Sequence, residues 1–375
     1  MSAFDLRVTA TAGTTYNLGQ RVYGLRFTTQ LPGGCAELAC AIPAEFGEQL
    51  AIPPYLGYNY RVDLLDYGYF WSGRMNYPSL VRDGSGFRWL ISAKGYGVSL
   101  SDQVSTVTNA QNTQTSTLIS NILTSLAPDI DATTITATGF TISNTAAVNI
   151  NRVTPAMMVA WTNRYGDSSY NPQLATVYPD NDGTVRFTYK PRPTTGDLTA
   201  AIYDSERAEI GGEESEYANK VTIQYNSGAS YVSASDTAES NKIGLVKEHV
   251  AVIPEISQSV DATQAANAIL TAKKQLRIAA SGPLVYKVGA PIRDTNKALV
   301  PFQRVRSGQL VRLVDVSPYQ NPLTNLAFFN SFMIAETVYD EDNQTLTITP
   351  ESYNLALQRN IATVYALITG RHQIA

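Results

Sequence analysis

Few residues in this 375-residue chain are of the types that form catalytic or metal centres. The chain has two cysteines, Cys35 and Cys40, and two histidines, His249 and His372. The cysteines are close enough in sequence to pair or to share a metal, but no histidine and no second cysteine pair lies near them. We interpret them as small, partly buried free thiols beside the turn at 32–34, in a protein made in a reducing compartment.

The histidines and the acidic residues do not define a site either. His249 falls in a predicted strand and His372 in the C-terminal tail, and neither lies near a serine, a cysteine or a set of metal ligands. The acidic run at 213–216 is typical of a solvated turn; a cation site is the alternative, but the loop pattern of an EF-hand is absent. Paired carboxylates for glycoside hydrolysis stay open, because their separation in space cannot be read from a sequence.

Sequence motifs for known chemistries are also missing. The chain contains no G-x-S-x-G, no H-E-x-x-H and no glycine loop that would hold phosphates. The sequence therefore names no catalytic, cofactor-binding or metal-ligating residue, and we expect a protein that is not an enzyme and needs no cofactor.

The aromatic cluster Tyr67, Tyr69, Phe70 and Trp71 has two interpretations. These rings would form a platform on which a sugar stacks, or they would fill the core and contacts between subunits. The strands around them are strongly apolar, so we favour the second.

Composition and charge exclude several classes of function. Charged residues make up 16% of the chain, below the ~25% typical of soluble domains, while tyrosine occurs 22 times. This composition suits a β-rich protein whose surface is largely covered by other subunits, or a secreted carbohydrate-binding protein. The net charge of −4 argues against binding nucleic acid through neutralised phosphates as the main activity. No apolar run is long enough to span a bilayer, and the N-terminus has no export signal pattern, so we expect synthesis in the cytoplasm.

Residues 58–102 predict an antiparallel meander. Val62 and Leu64 alternate with polar residues, the segment 83–86 is a hairpin signal, and the segment 87–93 places Phe87, Trp89, Ile91 and Ala93 on one face. An aromatic meander of this length needs a partner sheet or a closed barrel. We predict a first β-barrel domain over 1–103.

Residues 104–192 change character and predict a small α+β domain. A polar linker leads into a helix with apolar residues from Leu118 to Leu126 that Pro128 ends. Thr154 and Pro155 are a good helix start, and a hairpin with its strands at 175–178 and 185–189 closes the unit.

Residues 193–350 return to strands and predict a second β-barrel domain. Its strands include 220–225 and a hairpin over 332–349, and 227–240 is expected to be a loop. A helix over 261–280 begins with Asp261 as its cap and Gln264 as the reciprocal partner. Residues 351–375 are expected to form a C-terminal helical tail, with a closing helix over 355–368.

An ordered series of short motifs resembles the tail-hub family of bacteriophages. The family comprises the baseplate hub of contractile tails, the hub of siphophage tail tips and the N-terminal part of type VI secretion spikes. The motifs are an aromatic-x-Gly-Arg strand end at 71–74, the Gly-Tyr step and Leu-x-Asp within 93–102, the helix that ends near Pro-Asp at 121–129, the strand at 219–225, the alanine-rich helix after 261 and the strand at 305–315.

The resemblance implies a β-rich α+β fold of two antiparallel, tail-tube-like β-barrels with an inserted α+β domain and a few short helices. It implies a homotrimeric ring at the tail tip or baseplate of the virion that adapts a six-fold tail tube to a three-fold tip. The implied partners are the tail tube or distal tail protein, a spike or central fibre protein, the tape-measure protein, and DNA that passes through the channel without specific binding.

Two other functions remain as alternatives. A receptor- or carbohydrate-binding tail protein is the second candidate, and a tail-associated hydrolase is the third. In the tail-hub family a lytic domain is an appended segment, and we expect that 375 residues leave no room for one.

Overall fold

The computed structural model describes most of the chain. The described residues are 4–45, 52–84, 86–107, 112–143, 150–208, 210–212, 217–254, 256–274, 278–280, 282–315, 320–321, 326–327 and 331–351. The predicted tail helix with His372, and the acidic run at 213–216, lie outside these residues.

The helices of the described residues are short. They are α1 (Thr115–Leu126), α2 (Pro155–Asn163), α3 (Thr237–Ile243) and α4 (Ser259–Lys273). Single 3-10 turns lie at Gly19–Arg21, Tyr96–Ser101, Ile202–Asp204 and Phe302–Arg304. Within the described ranges, no helix combines the length and the apolar character needed to cross a membrane.

Strands dominate the rest of the described chain. Those of the first third are β1 (Asp5–Thr9), β2 (Thr15–Asn17), β3 (Tyr23–Gln30), β4 (Gly34–Pro43), β5 (Arg61–Leu65), β6 (Tyr69–Met75), β7 (Ser79–Asp83), β8 (Gly86–Gly95) and β9 (Ser105–Val107). Those of the middle third are β10 (Ile150–Val153), β11 (Gln173–Pro179), β12 (Val185–Pro191), β13 (Leu198–Ala200), β14 (Ser205–Arg207), β15 (Ile210–Gly212), β16 (Lys220–Tyr225), β17 (Ser230–Ser235) and β18 (Glu248–Val252).

The last third adds a further set. These strands are β19 (Ile278–Ala280), β20 (Leu284–Lys287), β21 (Arg293–Asp294), β22 (Leu310–Leu313), β23 (Gln320–Asn321), β24 (Leu326–Ala327), β25 (Ser331–Asp340) and β26 (Thr345–Pro350). The β-rich α+β character that the sequence predicts is therefore confirmed.

One mixed sheet of 15 strands joins the two ends of the chain. Its main path is β14-β20-β26-β25-β3-β4-β8-β6-β5-β1-β2, with β7, β13, β21 and β22 attached beside it. Among the described strands this path is open at both ends. The structure thus shows a large sheet in both regions predicted to be barrels, and the two closed barrels remain part of the proposal below.

The junction between the ends of the chain is the antiparallel pair β3–β25. Phe27 lies opposite Tyr339, and the two rings stack with centroids 5.2 Å apart. Across the same pair, the hydroxyl oxygens of Thr29 and Thr337 lie 2.7 Å apart and are buried. Apolar and polar side chains therefore both link strands that are separated by most of the sequence.

Two separate cores support this architecture. The first core lies on one side of the large sheet and combines residues of β1–β8 with residues of β20, β22, β25 and β26, such as Trp71, Trp89, Tyr286 and Ile348. The second core combines α1, α2 and the β11–β12 hairpin with α4 and the three-stranded sheet β17-β16-β18. The domain boundaries predicted from the sequence remain predictions.

The central meander is confirmed, with one exception on its predicted apolar face. Val62 and Leu64 are fully buried on β5, and Asp83 pairs with Gly86 in the β7–β8 hairpin. Of the face predicted on β8, Trp89, Ile91 and Ala93 are buried in the first core, whereas Phe87 is only half-buried.

The predicted start of α2 is also confirmed. The Thr154 hydroxyl accepts a hydrogen bond from the Met157 amide at 3.2 Å, and Pro155 is the first helical residue. Thr154 therefore provides the hydrogen-bond acceptor that the first turn of α2 lacks.

The predicted helix over 261–280 is wrong at both ends. The helix α4 begins at Ser259 and ends at Lys273, and Ile278–Ala280 is strand β19, paired with β15. Gln264 does not complete a capping box. Its amide donates to the carbonyl oxygens of Tyr165 and Asp167, because the first turn of α4 packs against the end of α2.

The segment around β16 also differs from the prediction. β16 has the predicted bounds, but its partners are β17 and β18 and it lies outside the large sheet. Val221 and Ile223 are buried beneath α4, which attaches this sheet to the second core. The loop expected over 227–240 contains β17 and the start of α3, because residues 226–229 form a turn that returns the chain alongside β16.

Candidate interaction surfaces

The two cysteines lie in the first core and are more deeply buried than the partly buried thiols that the sequence predicts. Cys35 and Cys40 are free, buried residues of β4. Burial raises the pKa of each thiol to about 12, because a thiolate in an apolar core lacks solvation. The two side chains therefore serve as small apolar residues of the core.

The aromatic cluster does not form a platform for a sugar. Phe70 and Trp71 are buried in the first core, and the Trp71 indole donates to the carbonyl oxygen of Thr28. Tyr67 is fully exposed, and Tyr69 is half-buried beneath the guanidinium of Arg7. The preferred interpretation as core residues holds for Phe70 and Trp71.

No metal centre is visible in the part of the chain that the structure describes. His249 is half-buried on β18, away from both cysteines, and no three His, Cys, Asp or Glu residues of the described ranges come close enough together to hold a metal ion.

One extended exposed feature is the outer face of the large sheet, the side of β26, β25, β3, β4 and β8 that points away from the first core. The strand register places its side chains in rows that cross the sheet. The outer face comprises Thr345, Thr347, Val338, Asp340, Arg26, Thr28, Glu37, Ala39, Ser92 and Lys94, each half-buried or exposed.

Charges of both signs alternate on the outer face. Asp340 lies opposite Arg26, and Glu37 lies opposite Lys94. Small side chains on β4 and β8 leave a groove of about 370 Å³ between these charged residues. The outer face therefore has a mixed and locally balanced charge, without a continuous basic track.

A second exposed feature is a pair of stacked tyrosines. Tyr58 precedes β5 and Tyr77 follows β6, and their ring centroids are 4.8 Å apart with planes 14° from parallel. The side chains are 60% and 75% exposed. Exposed aromatic rings held in one orientation are the kind of residue that carries binding energy in protein interfaces.

The three-stranded sheet provides a third exposed feature. Val250 and Val252 on β18 and Tyr231 on β17 point away from α4 and are more than half exposed. Among the described strands, none pairs with the free edge of β17 or of β18. Open strand edges beside apolar side chains are typical of surfaces that pair with another chain.

None of these three surfaces is predicted from the sequence. Polar and apolar residues alternate along the strands of the large sheet, so the sequence indicates that each strand has a polar side. Which polar side chains lie next to one another across the sheet depends on the pairing of β3 with β25 and of β4 with β8. Tyr58 and Tyr77 lie too far apart in sequence for their stacking to give a local signal.

The comparisons with known proteins agree with this architecture. No protein-family model matches the chain, and no curated protein is similar to it in sequence. Solved structures match over almost the whole length. A tail protein from Neisseria meningitidis has a TM-score of 0.57 at 10% identity, with 94% of this chain and 96% of that chain covered.

Two prophage proteins give similar matches. A 43 kDa tail protein of prophage MuSo2 from Shewanella oneidensis has a TM-score of 0.55 at 13% identity, with 93% of this chain and 97% of that chain covered. A prophage tail protein from Listeria monocytogenes has a TM-score of 0.55 at 12% identity, with coverages of 98% and 100%. The chain therefore has the fold of phage tail proteins, and the resemblance predicted from its motifs is confirmed at the level of the fold.

Proposed function

We propose that this chain is the structural hub of a phage tail tip or baseplate. The observation that carries the proposal is the fold, which one tail protein and two prophage tail proteins share over more than nine-tenths of their length. The chain would act by shape, as a member of a trimeric ring, and would break no bond.

The large sheet suggests how such a ring would adapt symmetry. Strands from both ends of the chain lie side by side in it, and in the proposal they belong to two similar, tube-like barrels. Three chains with two barrels each would present six similar faces to a six-fold tail tube and three-fold symmetry to the tip.

The outer face has the charge expected of a channel wall. DNA that slides past it would meet Asp340 and Glu37 as well as Arg26 and Lys94, so few phosphates would be neutralised. We propose that the tape-measure protein and then DNA pass such a face without specific binding.

Docking partners would bind elsewhere on the ring. The proposal places the tail tube or distal tail protein above it and a spike or central fibre below it. Tyr58 and Tyr77 are our candidates for one of these contacts, because they are exposed and pre-oriented. The protein would be made in the host cytoplasm and assembled there into the virion.

The mass of the purified protein tests the trimer. Native mass spectrometry should give a species three times the 40.8 kDa of one chain. A density map of the particle should then place the ring on the tail axis. Single copies at the periphery of the tail would contradict the proposal.

A turbidity assay tests the absence of enzymatic activity. Purified protein added to a peptidoglycan suspension should leave its turbidity unchanged, with lysozyme as the positive control. Clearing that depends on the protein would instead support the tail-associated hydrolase.

A further inference from the structure

A polar cleft of about 660 Å³ lies where the two cores meet. Strand β6 forms one wall, the turn of the β11–β12 hairpin forms a second, and residues from β13 and from 294–309 form the rest. This volume is in the range of small-molecule sites. The hub proposal assigns no role to this cleft.

Ion pairs hold the walls of the cleft in place. Arg304 binds the carboxylate of Asp66, which precedes β6, and Arg186 binds Asp180 in the hairpin turn. These charges already have partners inside the protein, so they define the shape of the cleft and are not available to a ligand.

Arg306 lies in the cleft with its donors free. Its guanidinium carbon is 4.3 Å from the ring centroid of Tyr178, a buried residue whose hydroxyl is bonded to Ser307. Among the described residues, no oxygen accepts a hydrogen bond from the Arg306 guanidinium. Stacking therefore fixes a planar set of hydrogen-bond donors that points into an open space.

Acceptors line the same space. Asp197 uses one carboxylate oxygen to accept from the Leu310 amide at 2.9 Å, and Asp294 uses one to accept from the Asn296 amide at 2.8 Å. The second oxygen of each has no hydrogen-bond partner among the described residues. The side-chain amide groups of Asn181 and Gln309 add donors that are likewise unused within those ranges.

The balance of these groups selects a class of ligand. An anion in the cleft would be repelled by Asp182, Asp197 and Asp294. A simple cation would be repelled by the guanidinium of Arg306. A hydroxyl group both donates and accepts, so a row of hydroxyls would satisfy the carboxylates and the guanidinium together. The half-buried Val300 supplies apolar surface for the C–H groups of a sugar ring.

We propose that this cleft binds a neutral saccharide. The proposal does not require the ring of the hub, so failure of either leaves the other standing. Tyr69 and Phe70 of the aromatic cluster belong to one wall of the cleft, and the polar side chains that would bind the sugar come from positions far apart in the sequence.

Isothermal titration of the full chain tests the proposal. The probes are lactose, maltotriose and N,N′-diacetylchitobiose, with sialyllactose as the acidic comparison and glucosamine as the basic one. At least one neutral probe should bind at millimolar concentration or below, and more tightly than both charged probes. No binding of any neutral probe, or a preference for a charged one, would overturn the proposal.

Two pairs of variants then locate the site. Arg306→Gln should weaken binding of the neutral probe at least tenfold, while Arg82→Gln, which removes an arginine stacked on Phe87 outside the cleft, should leave it unchanged. Asp294→Asn should weaken binding by a similar factor, while Asp340→Asn changes a comparable turn aspartate elsewhere. Unchanged thermal unfolding shows that each variant folds. If both cleft variants fold and bind the neutral probe with wild-type affinity, the saccharide does not bind in this cleft and the proposal is overturned.

Discussion

At the scale of single residues, glycine decides how closely the large sheet approaches the β11–β12 hairpin. Gly34, the first residue of β4, has φ of +78°, and a Cβ there would overlap the carbonyl of Val177 on β11. Two constraints therefore act on one position: a backbone conformation that L-residues avoid, and a space with no room for a methyl group.

Substitution of Gly34 separates these two constraints. We expect Gly34→Ala to lower the free energy of unfolding by about 2–4 kcal/mol, because strain and overlap add. Gly289→Ala is the matched control, since Gly289 also has a positive φ but open space around it, and we expect a cost of about 1 kcal/mol. Chemical denaturation measures the free energy of unfolding of both variants. Equal losses in the two variants would show that the structure relieves the overlap at Gly34 without a cost in stability.

The buried thiols give a second expectation at this scale. A pKa raised to about 12 keeps Cys35 and Cys40 protonated at pH 8, and burial keeps reagents out. A thiol reagent such as DTNB should therefore detect no thiol in the folded protein and two in denaturant. Fast labelling of either residue in the folded state would contradict the described core.

At the scale of elements, the pair β3–β25 is the join that makes one sheet from the two ends of the chain. Thr29 accepts a hydrogen bond from the buried amide of Ser307 at 2.8 Å, and its hydroxyl also shares a hydrogen bond with that of Thr337. One hydroxyl thus satisfies a backbone group of the turn before β22 and holds the two strands in register.

The two threonines of this pair should not be equivalent. Thr29→Val leaves the Ser307 amide buried without an acceptor, so we expect a loss of about 2–3 kcal/mol in the free energy of unfolding. Thr337→Val removes only the hydroxyl–hydroxyl bond to Thr29, leaves the Ser307 amide with its acceptor, and should cost about 1 kcal/mol. Urea unfolding of the two variants measures the difference, and the reverse order would mean that Ser307 finds another acceptor.

At the scale of the whole molecule, the first core belongs to both ends of the chain. Strands β1–β8 bury their apolar faces together with β20, β22, β25 and β26, with Phe27 against Tyr339 as one contact. Neither set buries its apolar surface alone, and an unpaired β3 would present a long open edge.

This shared core predicts that the N-terminal region cannot fold by itself. A fragment of residues 1–103 should aggregate or lack dispersed amide signals in an NMR spectrum, although it contains every strand of the first predicted barrel. Co-expression with residues 193–375 is the matching control and should increase its solubility. A fragment that is soluble, monomeric and cooperatively folded would show that the first region is an independent domain.

Strand faces and one helix start were predictable because their signals are local. The alternation of Trp89, Ile91 and Ala93 places these residues on one side of any strand, and Thr154 with Pro155 begins a helix through groups within one turn. The end of α4 was not predictable in this way. The helical spacing of apolar residues continues past Lys273, whereas Ile278–Ala280 form β19 and pair with β15.

By itself, the sequence determined which segments are apolar on one face, that no catalytic motif is present, and which family of folds the order of motifs resembles. Only the tertiary structure decided that β16 packs under α4, that β3 pairs with β25, and that Arg306 and Asp294 line one cleft. The physical reason is the distance along the chain over which each kind of interaction acts. Periodicity and capping act between neighbours along the chain, whereas these contacts depend on which distant apolar faces bury each other.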